Sequence, residues 1–255
     1  SPSVGVTVAA ASGVNIFASF ATAYETPTTV ELSNTPTGDG GFNQDLDPQD
    51  LRSFEVGLRG LIAPARLRYE AAVYVSTVDK ALVSFQNSLS QDFFSNAGKS
   101  SRDGVELSLE WVPDASFNTR FSYTYQDFVF EEFNTGSSDF SGNKEPGAPP
   151  HRVFVGFNYT APFGLRSGAT VRWVDDFFVR NDNTASNWAY TVVDLRFGYD
   201  TTWGNIDVRP FVGIDNVFDE RYNSSAIVNA FGGRYYEPSP DREVYVGLTI
   251  GGGVR

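Results

Sequence analysis

The chain has 255 residues, a formal net charge of −12, and neither Cys nor Met; its length suits one large β-domain or two smaller ones. The acidic balance argues against a nucleic-acid partner, and the missing thiols exclude disulfides, thiolate metal sites and a cysteine nucleophile. No stretch reaches the ~18 uncharged apolar residues of a spanning helix, so only strands could carry this chain across a bilayer.

Phe, Tyr, Gly, Val and Thr are abundant, and Gly and Pro fall between apolar runs rather than within them, which is β-composition with turn punctuation. Apolar–polar alternation predicts eleven strands, near 3–9, 14–24, 50–62, 66–85, 93–112, 117–130, 152–160, 165–179, 190–200, 206–218 and 242–250. "SFEVGLRG" sets Phe54, Val56 and Leu58 against Glu55 and Arg59. "GVELSLEW" sets Val105, Leu107, Leu109 and Trp111 against Glu106, Ser108 and Glu110. "VVDLRFGY" sets Val193, Leu195, Phe197 and Tyr199 against Asp194, Arg196 and Gly198. "IDVRPFVGI" sets Ile206, Val208, Val212 and Ile214 against Asp207, Arg209 and Gly213, and Pro210 must cost that ladder one donor. "REVYVGLTI" sets Val244, Val246, Leu248 and Ile250 against Glu243, Tyr245, Gly247 and Thr249.

The connections alternate short and long. The short ones lie at 10–13, 63–65, 113–116, 161–164 and 201–205; the long ones at about 25–49, 86–92, 131–151, 180–189 and 219–241. Antiparallel neighbours then place every tight turn at one end and every long loop at the other, an asymmetry of outer-membrane barrels. Many runs reach the ~9–11 residues of a tilted membrane strand. Phe17, Phe20 and Tyr24, then Phe121, Tyr123 and Tyr125, then Trp173, Phe177 and Phe178 gather near run ends, as interfacial girdles would. A soluble barrel or sandwich alternates in the same way, with its aliphatic face as core. What covers Val244, Val246, Leu248 and Ile250 separates the two readings. An odd strand count leaves the chain ends on opposite sides, whereas a complete bacterial barrel has an even count. The chain therefore reads as part of a longer wall.

Three stretches together resemble the C-terminal half of a TonB-dependent outer-membrane receptor barrel. They are "SPSVGVTVAAASGVNIFASFATAYETPTTVEL" (1–32), "LDPQDLRSFEVGLRG" (46–60) with its Glu-x-Gly-x-Arg-Gly ending, and the tail "IDNVFDERYNSS" (214–225) followed by "GGRYYEPSPDREVYVGLTI" (233–250). "SRDGVELSLEW" and "GAPPHRVFVGFNY" also fit the family's strand openings, so the resemblance runs over essentially all of residues 1–255. It implies an all-β fold: an antiparallel, up-and-down transmembrane β-barrel wall of about 11 strands, part of a barrel of about 22. It implies further that a plug domain and N-terminal strands precede this segment. The tail departs from the pattern, since such barrels usually end on an aromatic residue and this chain continues "GGGVR" past Ile250.

By the same resemblance the function is uptake across the outer membrane of a scarce large solute, most often a ferric siderophore. No cofactor is implied; the partners are the chelate, outer-membrane lipid, and the TonB complex reached through the N-terminal part. Glu55, Arg59, Glu106, Glu110, Arg196, Asp207, Arg209 and Glu243 are the polar strand positions expected to face the lumen. Arg180, Trp188, Arg221, Tyr222, Arg234, Tyr235 and Tyr236, in or near long loops, are candidates to hold an anionic, ring-bearing chelate through charge and stacking. They could equally be girdle and rim residues.

Two constellations remain. His151, the single histidine, invites a general-base reading, but no Gly-x-Ser-x-Gly elbow accompanies it and it reads as a loop-to-strand boundary. Acidic groups at Asp175/Asp176/Asp182, at Asp215/Asp219/Glu220 and along 38–50 lack calcium-loop spacing and read as solvated loop charge. The absence of Cys and Met, with a single His, argues against direct capture of a soft metal such as copper by this half. A passive channel or adhesin barrel is the rival reading, and an outer-membrane hydrolase a third.

Overall fold

The computed structural model describes residues 1–33, 35, 41–86, 91–135 and 138–252. The 38–40 part of the acidic run and the 253–255 tail lie outside the described residues. Eleven long strands pair antiparallel in chain order: β1 (Ser3–Ala11), β2 (Val14–Glu25), β3 (Gln49–Ile62), β4 (Leu67–Asp79), β5 (Lys99–Asp114), β6 (Phe117–Glu132), β7 (His151–Thr160), β8 (Leu165–Val174), β9 (Tyr190–Tyr199), β10 (Ile206–Asp215) and β11 (Glu243–Gly252). This is the up-and-down wall that the alternation predicts.

Register sorts the side chains onto two faces. One row runs Val6, Ala18, Val56, Val73, Val105 straight across five strands. One residue along β3, Glu55 lies opposite Tyr74, which lies opposite Gly104, on the other face. The aliphatic face carries no protein cover on its last strand: Val244 is 65%, Val246 78%, Leu248 57% and Ile250 64% exposed. Each such side chain left in water costs roughly 1.5–3 kcal/mol relative to burial, so a face built of them needs an apolar solvent. A soluble sandwich, whose aliphatic face would be its core, does not fit this exposure.

Tight turns close one end. Gly13 has φ 74° and sits so close to β3 that a Cβ there would fall 2.2 Å from the Leu61 carbonyl oxygen, so only glycine serves. The turn after β3 is a single 3-10 turn, Ala63–Ala65, closed by Arg66 at φ 49°. Pro210 has no N–H, and β9 accordingly breaks at Asp200, near its partner position, before resuming as Thr201–Trp203. The register crosses the gap unchanged, from Gly198 opposite Phe211 to Thr201 opposite Val208.

The other end holds both clusters of buried apolar residues. Val78, Ala81, Val83, Ala97, Phe130 and Phe133 form one cluster, and Val179, Ala230 and Tyr235 another.

Some expected strands prove too long. Runs 66–85 and 93–112 each break, because Lys80 takes φ 57° and bends the chain before a separate hairpin, Leu82–Gln86 with Asp92–Asn96. The run at 165–179 stops at Val174, and Phe177–Phe178 instead pair with Ser186–Asn187 inside the loop. The run at 206–218 stops at Asp215, where Asn216 and Asp219 turn at φ 52° and 56°. Phe17 is not a girdle residue: it lies on the polar face over Gly57, with the Arg59 guanidinium 5.2 Å from its ring centre.

Candidate functional site

Asparagine side chains tie the long loops to one another. Asn229 Nδ2 donates to the Ser84 carbonyl (2.9 Å) and to Asn181 Oδ1 (3.1 Å), and Asn229 Oδ1 accepts from the Asn181 N–H (3.0 Å). Asn143 Nδ2 reaches the Asn181 carbonyl at 2.7 Å, and Asn183 Nδ2 the Lys144 carbonyl at 2.9 Å. Four loops, from residues 80–98, 133–150, 175–189 and 216–242, thereby meet. Amides suit this work because each can donate and accept at once without the desolvation cost of a charge.

Asn96, in the 80–98 loop, ties it to the 25–49 loop: its Nδ2 bonds the Asp47 and Lys80 carbonyls, while Lys80 Nζ donates to Asp47 at 2.8 Å. That hydrogen bond first, and the Asp47 charge second, hold the Lys80 ammonium above its ordinary range. Asp139 is held below its ordinary value by the hydroxyl and then the N–H of Ser141.

Where the loops meet there is a cleft of about 530 Å³, lined by Phe85, Phe140, Arg180, Asn181, Phe231 and Tyr235 among others. Arg180 pairs with Asp182 at 2.6 Å, and Asp182 Oδ1 also accepts from the Thr184 N–H and hydroxyl. Asn181 is 2% exposed. Aromatic walls with a few convergent donors are the usual make-up of a small-molecule site, and the volume falls in the range of about 300–1,000 Å³ typical of one.

Of the loop residues singled out from sequence, Arg180 and Tyr235 line this cleft. Arg234, next in the chain, donates from Nε to the Phe231 carbonyl at 3.4 Å, and the Tyr236 hydroxyl donates to the Ser186 carbonyl at 3.0 Å. Tyr222 packs at a tilt against Tyr190 (4.6 Å between ring centres) and lines a different recess with Arg172, Asp194 and Glu243. Trp188 is 81% exposed and Arg221 is exposed outside the cleft. Phe85, Phe140, Asn181 and Phe231 were not legible as site residues, since only loop packing gathers them.

The eight polar strand residues all share the face opposite the aliphatic one. Arg59 lies opposite Glu70, Glu106 opposite Ala72, and Glu110 opposite Arg68 and Arg120, which it pairs at 3.3 Å. Arg196 lies opposite Gly213 with its guanidinium 4.7 Å from the Phe211 ring centre. Asp207 and Arg209 pair at 3.7 Å, and Glu243 is opposite Asp215. Aromatic rings on this face cover glycines next door: a Cβ on Gly213 would meet the Tyr245 ring at 2.1 Å. Such ring-over-glycine pairs pin register where a glycine would weaken the sheet.

His151 opens β7 with Nδ1 2.9 Å from the Tyr123 hydroxyl and its ring centre 5.1 and 6.3 Å from those of Tyr125 and Trp173. These contacts join β6, β7 and β8 by aromatic packing. Among the described residues no group of three or more His, Asp or Glu is placed to hold a metal ion.

A family model described as "TonB dependent receptor-like, beta-barrel" matches residues 1–217. The chain belongs to the TonB-dependent receptor barrel family. It is 29% identical over 206 residues to the pesticin receptor of Yersinia enterocolitica, covering 78% of this chain and 28% of that protein. With the ferrioxamine B receptor of Salmonella typhimurium it shares 25% over 215 residues, covering 82% of this chain and 28% of the relative. The crystal structure of the siderophore receptor PiuA from Acinetobacter baumannii superposes with a TM-score of 0.74 at 22% identity, over 97% of this chain and 35% of the other. The chain thus spans about 28% of the length of these curated relatives. TonB-dependent receptor barrels are integral to the outer membrane, and the aliphatic face of this wall is the exposed apolar one.

Proposed function

We propose that this chain is the C-terminal part of an outer-membrane active transporter for a ferric siderophore. A plug domain and further strands supplied upstream complete it. The observation that carries the reading is a two-faced wall roofed at one end by cross-linked loops around an aromatic, donor-bearing cleft. Relatives named as siderophore, ferrioxamine B and pesticin receptors support the choice of cargo.

In this reading Arg180 and Tyr235 contact the chelate, with Arg234, Tyr236, Tyr222, Trp188 and Arg221 around the rim. Glu55, Arg59, Glu106, Glu110, Arg196, Asp207, Arg209 and Glu243 line the lumen and hydrogen-bond the plug. The TonB complex supplies energy through the N-terminal part, and the receptor performs transport rather than chemistry.

The test is uptake of radiolabelled iron chelates by receptor-deficient Gram-negative cells expressing the receptor with its own flanking sequence. Uptake should vanish when TonB is deleted or the proton-motive force collapsed. Uptake that survives both, with open-pore conductance in liposomes, would instead mean a passive channel.

A further inference from the structure

The loop that brings Phe231 and Tyr235 to the cleft is fastened at its base to a carboxylate in the wall. Asp194 stands on the polar face of β9, opposite Thr170 of β8. Its Oδ2 accepts from the Thr170 hydroxyl at 2.9 Å and from Arg172 Nη2 at 3.0 Å. Its Oδ1 accepts from the N–H of Asn216, which follows the last residue of β10, at 3.0 Å. The side chain thus joins wall to loop, with one oxygen serving each.

The turn that Asp194 holds is closed on itself. Asn216 is 4% exposed and takes φ 52°, and its side chain donates to the Glu220 carbonyl and accepts from the Glu220 N–H, each at 2.9 Å. The Val217 N–H donates to the Val193 carbonyl at 2.8 Å. Asp219, within the turn, accepts at 2.9 Å from the N–H of Arg242, the residue before β11. Both ends of the 216–242 loop are therefore pinned to this turn, and the turn to Asp194. Hydrogen bonds to an ionised group are the stronger kind, and this carboxylate is mostly covered: its side chain is 22% exposed against 50% for that of Arg172. Arg172 is the open member of the pair, reached from the polar face through the recess it shares with Tyr222 and Glu243.

We propose that Asp194 is a positioning residue that couples the polar face of the wall to the cleft. Arg172 and Thr170 orient the carboxylate, and the carboxylate sets the loop that presents Phe231 and Tyr235. Asn229, on the same loop, bonds Asn181 and Ser84, so the setting passes on to the other loops. A loop loose at its base is out of place part of the time, and a site built from it binds in proportion to the time in place. A group on the polar face that draws Arg172 away is felt, through Asp194, at the cleft. The proposal rests on the uptake reading only in taking the cleft as a binding site.

The test is amide hydrogen exchange on the receptor with its natural flanking sequence, purified in detergent, read on peptides from 216–242 and from β8 to β10. Asp194→Ala removes the acceptor and should speed exchange in 216–242 about tenfold, while the strands change by less than about twofold. Asp194→Asn keeps an oxygen for the Asn216 N–H and should restore protection to within about threefold of the wild type. Arg172→Gln leaves the carboxylate without its charge partner and should speed loop exchange about threefold. In the Asp194→Ala background it should add nothing, because both substitutions act through the same carboxylate. Loop exchange untouched by Asp194→Ala, equal acceleration in strands and loop, or additive effects in the double variant overturns the proposal. Absence of TonB-dependent iron uptake by the wild type removes the uptake reading and leaves the exchange result as it is.

Discussion

Val246 stands 78% exposed on the aliphatic face of β11, while Tyr245, one residue earlier, lies over Gly213 on the polar face. In the proposed transporter a charge at the first kind of position would meet hydrocarbon and at the second water, so identical substitutions should differ sharply. Val246→Arg is expected to cost about 2–4 kcal/mol if it lies near the bilayer midplane. Ser108→Arg, on the polar face opposite Glu70, should stay within about 0.5 kcal/mol. Urea titration of the full receptor in lipid vesicles measures both. The alternation made this contrast legible at Val246. It was misread at Phe17, where being aromatic near a strand end outweighed the parity that puts Phe17 one step from Ile16 and hence on the other face.

At the scale of elements, strands were easier to read than their ends. Period-two patterning continues through residues 66–85, so it does not register the one positive φ at Lys80 that ends β4 and starts the loop hairpin. Pro210 was legible because a missing N–H breaks a ladder whatever the surroundings. The loop roof was not, because its cross-links are amide contacts between segments far apart in sequence, such as Asn229 to Ser84. Asn229→Ala would strip the Ser84 carbonyl and Asn181 of their partner, a loss of roughly 1–3 kcal/mol in loop docking. Limited proteolysis should then cut within 216–242 sooner, while the unfolding midpoint of the strands stays where it was. Equal loss at both would mean that the roof and the wall melt as one unit.

For the whole molecule, the odd number of long strands has a geometric consequence. β1 and β11 run in the same direction, so neither can pair antiparallel with the other, and each edge of the wall leaves a row of N–H and C=O groups among the described residues. Antiparallel closure takes an odd number of additional strands. Residues 1–255 refolded alone in detergent should accordingly form mixed oligomers, seen as a polydisperse profile in size-exclusion light scattering. A monodisperse, protease-resistant monomer would contradict this.

The sequence alone determined the β-class, the strand count, the pairing of short turns at one end with long loops at the other, and which residues share a face. All of these follow from period-two patterning and turn chemistry, which are local. The tertiary structure decided that the aliphatic face stays bare, since only a three-dimensional neighbour, or its absence from the described residues, distinguishes a core from a lipid surface. It also decided which loop residues meet, because Phe85, Asn181 and Phe231 become neighbours through long-range amide bonds and apolar packing that no local pattern encodes.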